Sequence, residues 1–144
     1  MRQAASAKAC AANGTAVLQI DTVPNEQLSP KPVAKERFTL TDTGAWTYKA
    51  HQLKIARSYA GCLGAAELAS LRSKMARVPW TLTHLDVTCA AIPTTFTTYT
   101  VEGKARYTQA MCSGDTLDAA SQQVVGEINT LVGKLIAPHA ATGK

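Results

Sequence analysis

Cysteines and a histidine–aspartate pair are the residues of this chain with reactive chemistry to offer. Cys10, Cys62, Cys89 and Cys112 are far apart, with no Cys-x-x-Cys and no Cys-x-x-His. Tight zinc sites use short ligand hairpins and redox dithiols need two thiols one turn apart, so the spacing favours neither. Four dispersed cysteines fit two structural disulfides in an exported protein better. His84 and Asp86 are two apart on a strand-like run, so their side chains emerge as neighbours. Cys62 or Cys89 would complete a Cys–His–Asp nucleophile system with them. Cys89 has the opposite strand parity to His84 and points away, which defeats the nearest version. His51 falls at a turn and His139 in the tail, so the histidines form no metal constellation.

Asp115 and Asp118 flank a helix start, where capping and the helix dipole explain them without acid–base work. No Gly-x-Ser-x-Gly, phosphate loop or dinucleotide fingerprint occurs. The sequence offers no positive sign of an enzyme and implies no cofactor and no metal.

Binding residues are the remaining candidates. The net charge is +5, and its excess is local. Between Trp46 and Trp80 stand Lys49, Lys54, Arg57, Arg72, Lys74 and Arg77 against Glu67 alone, and elsewhere the charges balance. Such a stretch suits an acidic protein, an anionic polymer or lipid headgroups. Nucleic acid is disfavoured, since few aromatics interleave with the basic residues as stacking platforms. Part of the charge is the solvated face of a helix over 65–78, where Leu68, Leu71, Met75 and Val78 share the opposite stripe. The second candidate surface is the threonine-rich run from Thr94 to Thr108, with Phe96 standing among hydroxyls. Phe96, Tyr99, Arg106 and Tyr107 are its expected contacts, because aromatics and Arg are enriched at interface hot spots. Lys49, Arg57, Arg72 and Arg77 are those of the basic segment.

The elements that position these residues follow from pattern. Gly14–Val23 is β-branched and reads as a strand, and Pro24–Pro32 as a loop. Phe38 and Leu40, then Trp46 and Tyr48, alternate as the buried faces of a hairpin turning at Asp42–Gly44. Leu53–Ser58 is expected to add a short strand. Gly64 at the N-cap, Glu67 at N3 and a Leu63/Leu68 staple start the first helix. Pro79 stops it, and Trp80 plugs the core.

Leu82–Cys89 reads as a strand with Leu85, Val87 and Cys89 on one face and His84 and Asp86 on the other, before Pro93 interrupts. Thr94–Val101 and Ala105–Cys112 form a hairpin around Glu102, Gly103 and Lys104, pairing Tyr99 with Tyr107 and Val101 with Ala105. Asp115 or Thr116 should cap a second helix with the stripe Leu117, Ala120, Val124, Ile128, Leu131 and Leu135, closed by Pro138. Gly126 and Gly133 stand together on its opposite side, open either to close approach by another chain or to simple tolerance.

The expected fold is α+β: a twisted antiparallel sheet of about five to six strands with two helices on one face. Residues 13–137 would form the single domain, between a flexible segment 1–12 and a flexible tail 138–144. No apolar run approaches the ~20 residues of a membrane span. No apolar signal core follows Met1 and Arg2, so the opening reads as a start residue on a trimmed export precursor, periplasmic or extracellular. Four cysteines allow three connectivities, of which Cys10–Cys62 with Cys89–Cys112 is the preferred set.

In architecture, though in no shared motif, the strand–helix–strand–helix plan resembles small secreted bacterial inhibitor domains of the emfourin and β-lactamase-inhibitor kinds. The leading expectation is therefore a non-enzymatic exported bacterial binding module whose partner is another protein, in its sharpest form an inhibitor of a secreted enzyme. The alternative is an envelope-associated domain resting residues 49–77 on an anionic polymer or membrane.

Overall fold

A computed structural model describes residues 10–11, 13–24, 34–52, 55–86, 95–110 and 114–142. Along the chain come β1 (Ala16–Pro24), β2 (Ala34–Thr41), β3 (Ala45–Gln52), β4 (Ile55–Cys62), α1 (Ala65–Arg77), β5 (Leu82–His84), β6 (Thr95–Val101), β7 (Lys104–Ala110), β8 (Asp115–Leu117) and α2 (Ala119–Thr142). Six strands form one antiparallel sheet in the order β4-β3-β2-β1-β6-β7, and β5 pairs with β8 in a separate ribbon. The α+β fold with a twisted antiparallel sheet is the one the pattern implied.

Period-two alternation places the core on one side of this sheet. Leu18, Phe38, Leu40, Trp46, Tyr99 and Val101 are buried there against Leu68, Leu71 and Met75 of α1 and Val124, Val125 and Ile128 of α2. Each such side chain contributes about 1.5–3 kcal/mol on burial. Register fixes the match, with Phe38 opposite Tyr48 and Leu40 opposite Trp46. Gly61 lies opposite Trp46, and a Cβ there would sit 2.8 Å from the indole. Only glycine lets the ring lie flat across β4.

Helix α1 starts after Gly64 as expected, with both staple residues, Leu63 and Leu68, buried. Val78 is extended, as the residue before a proline must be, and Trp80 then turns back into the core.

Four expectations need correction. The 102–104 hairpin has a two-residue turn: Glu102 (φ 49°) and Gly103 (φ 85°) are both left-handed, the geometry of a tight type I′ connection. Val101 therefore pairs with Lys104 and Thr100 with Ala105, while Tyr99 still meets Tyr107 because Arg106 is an extra, bulged residue. The strand expected over 82–89 is only β5, whose residues are all exposed, and Leu85 beyond it is 58% exposed. Leu82 and Leu85 both face solvent, and pairing with β8 ends at His84. Val87 and Cys89 lie outside the described residues.

Asp115 and Thr116 belong to β8, so they do not cap α2. Asp118 does, accepting from the Ser121 N–H at 3.1 Å and the Ser121 hydroxyl at 2.6 Å. Finally, Pro138 lies inside α2, which continues to Thr142. The ring of His139 packs against Trp46 and Tyr59 and holds the turn that proline weakens. The strand expected over 53–58 is β4, which runs on to Cys62. The 25–32 loop and the Cys89–Cys112 pairing fall outside the described residues.

Candidate functional site

The helices cover one face of the six-stranded sheet and leave the other without a packed layer among the described residues. Strand parity puts threonines and charges on that face. One cross-strand row reads Thr98, Asp21, Arg37, Lys49 and Ser58, from β6 to β4. The row beside it reads Lys35, His51 and Ala56. On the other side run Thr100, Gln19, Thr39, Thr47 and Ala60.

A groove of about 530 Å³ opens where the first two rows meet, lined by Lys35, Arg37, Lys49, His51 and Arg57 and also by the carboxylates of Asp21 and Glu36. The two carboxylates are already engaged. Asp21 accepts from Arg37 Nε at 2.5 Å and from Gln19 Nε2 at 2.9 Å. Glu36 accepts from the Tyr48 hydroxyl at 2.9 Å. Burial, then that hydrogen bond, pushes the Tyr48 phenol up to about 12. Lys35, Lys49 and Arg57 have no carboxylate partner among the described residues. The groove is thus a cationic surface with small neighbours, Ala56 and Ser58, on the edge strand.

The sequence-derived candidates scatter. Lys49 and Arg57 line the groove. Arg72 forks the Glu102 carboxylate at 2.9 and 3.1 Å, and Arg77 reaches the Ser73 hydroxyl at 2.9 Å, both from α1. Lys74 of α1 bonds Glu127 of α2 at 2.7 Å. The stretch 49–77 is therefore not one patch, because α1 packs on the core side of the sheet while Lys49 has the parity of the uncovered side. Lys54 lies outside the described residues.

Among the aromatic candidates, Phe96 stands on the uncovered face opposite Val23 and Ala110. Tyr99 does not: it is 2% exposed, and its hydroxyl donates to Asn129 Oδ1 at 3.0 Å. Tyr107 stacks on it with ring centres 6.0 Å apart, on the core side. Both tyrosines are packing residues. Arg106 occupies the bulge half-buried, its Nε without a hydrogen-bond partner among the described residues.

Among the described residues the Cys–His–Asp nucleophile system is not assembled, and Cys89 lies outside them. Cys62 is bonded to Cys10, Cα atoms 6.0 Å apart, the first of the expected disulfides. His84 Nδ1 lies 2.9 Å from Asp115 Oδ1 and its Nε2 3.7 Å from Asp86 Oδ1, all three side chains well exposed. No group of three or more metal-ligating side chains occurs among the described residues. Among the described residues no helix is long and apolar enough to cross a membrane.

Sequence reasoning missed Lys35, Arg37 and His51 as groove residues, and it put His139 in the tail. His139 follows Leu135 by one helical turn, which was a signal that the apolar stripe continues. No family model, no curated protein and no solved structure matches this chain. The functional reading rests on the geometry of the groove.

Proposed function

We propose that this chain is a non-enzymatic, exported binding module that takes an acidic surface of another protein onto the uncovered face of its sheet. An inhibitor of a secreted enzyme is the sharpest form of this reading. The observation that carries it is the gathering of Lys35 and Lys49 on the sheet face that no described helix covers, with Arg57 lining the same groove from the edge strand, all three unpaired among the described residues. Arg37 and Lys49 stand directly opposite each other on paired strands. Like charges so placed cost stability, and a partner's carboxylates would remove that cost. The Cys10–Cys62 disulfide is compatible with export.

Resting the whole 49–77 stretch on an anionic polymer fits less well, since Arg72 and Lys74 already hold carboxylates on α1's side. Titration with poly-L-glutamate, dextran sulfate and anionic vesicles at low and high salt tests the choice. The expected result is polyglutamate binding that the Lys49→Glu/Arg57→Glu double variant abolishes and Arg77→Glu leaves intact. Binding that favours dextran sulfate or vesicles, and weakens equally in both variants, would reinstate the polymer reading.

A further inference from the structure

We infer that the outer edge of β4, which no described strand covers, accepts an added antiparallel strand from an acidic, extended segment of the partner. The inference rests on the reading just given and supplies its mode of contact. β4 is the last strand of the sheet and pairs with β3 at all eight positions, from Gln52–Ile55 to Ala45–Cys62, with no bulge. Residues 55–58 and Ala60 are exposed, Ile55 to 59%.

Edge strands invite pairing with another chain unless lysine, proline, a bulge or a covering element blunts them. The opposite edge, β7, carries Lys104 at its start and a bulge at Arg106. β4 has neither lysine nor proline, and its one charge is Arg57. At its far end the disulfide holds Cys10 against Cys62 and Gly61. That leaves Ile55–Ala60, about 20 Å of strand at ~3.4 Å per residue.

Charge selects the occupant. On the uncovered face β4 presents Ala56, Ser58 and Ala60, all small. Lys49 and His51 stand one strand inward, opposite Ser58 and Ala56. Strands lie about 4.8 Å apart, so a lysine can reach over a small residue to a carboxylate on an added strand. An incoming segment with Asp or Glu at alternate positions would set them along the groove while its backbone bonds β4. A second copy brings the same unpaired cations and a further +5 charge to this edge. The chain's own first nine residues carry Arg2 and Lys8 and no acid.

The probe is a capped decapeptide of alternating Glu and Thr, in three forms: unmodified, N-methylated on the Glu residues, and N-methylated on the Thr residues. An added antiparallel strand bonds its neighbour through the amides of one alternate set only. One methylated form should therefore lose at least tenfold in affinity while the other binds like the parent, and Lys49→Glu should weaken the parent at least tenfold. Equal binding by all three forms, still sensitive to Lys49→Glu, overturns strand addition and leaves the groove reading standing. A parent peptide that does not bind overturns both. A dimer of the free protein whose β4 amides are protected from hydrogen exchange gives this edge to a second copy and also overturns the inference.

Discussion

The backbone N–H of Trp80 donates to Ser121 Oγ at 2.9 Å, a buried bond between residues 41 apart in sequence. It joins the exit of α1 to the first turn of α2. The Trp80 indole N–H closes the same corner by donating to the Met75 carbonyl at 2.9 Å. Trp80 has φ 52°, a left-handed conformation that costs an ordinary side chain about 1–3 kcal/mol, so the corner must be held from several sides. The Ser121 side chain is completely buried and also donates to Asp118 Oδ1, while Asp118 accepts from the Thr81 N–H at 2.9 Å.

Ser121→Ala removes the acceptor and leaves the Trp80 N–H buried without a partner. The expected loss is about 1–3 kcal/mol in urea unfolding. Ser73→Ala, which removes only the exposed acceptor of Arg77, should stay within about 0.5 kcal/mol. Equal effects from the two variants would show that the corner is not what holds the helices together.

The disulfide makes a separate demand. Cys10 and Cys62 are 52 residues apart, and closing a loop of that length restricts the unfolded chain. Cys62→Ser should lower stability by about 2–4 kcal/mol. Non-reducing peptide mapping should recover the Cys10 and Cys62 peptides as one linked species. Recovery of either in another pairing would contradict the fold at the β4 end.

Tyr48 supplies a pH dependence. Burial and donation to Glu36 raise its phenol from 10.0 to about 12 in the folded state. The folded value is the higher one, so the neutral form is the stabilised form. This contribution is complete below pH 10 and is lost as the pH rises toward about 12. Wild-type protein should therefore lose stability over that interval relative to Tyr48→Phe, read by thermal melts at stepped pH. Parallel curves for the two proteins would exclude Tyr48 as the source.

The alternation of Phe38 and Leu40 with Trp46 and Tyr48 and the Leu63/Leu68 staple were legible because each is a local pattern with one buried solution. The start of α2 was not. Asp115, Thr116 and Asp118 are all good caps, and only the tertiary bonds of Asp118 to Thr81 and of Ser121 to Trp80 select among them. The β6–β7 register turned on two left-handed residues, Glu102 and Gly103, whose conformation no hydrophobic period reveals. The candidate site was read along the chain as a basic run, yet the groove collects Lys35, Arg37, Lys49 and Arg57 across three strands. Tyr99 and Tyr107 were picked for residue type, and their strand parity sends them to the core.

Lys49 ties stability and binding together with opposite signs. It stands opposite Arg37 on the neighbouring strand, and of the two only Arg37 has a carboxylate partner among the described residues, Asp21. Removing the lysine's charge relieves a cross-strand repulsion of about 0.2–1 kcal/mol. Threonine suits the exposed strand position and the hydroxyl-bearing face around it. Lys49→Thr should therefore melt at or above the wild-type temperature while its affinity for polyglutamate falls. Thr47→Lys, one step along the same face, should show the reverse: a lower melting temperature with binding retained or strengthened. If Lys49→Thr instead destabilises the free protein, the lysine is a structural member of the sheet and its place in the binding groove loses its physical argument.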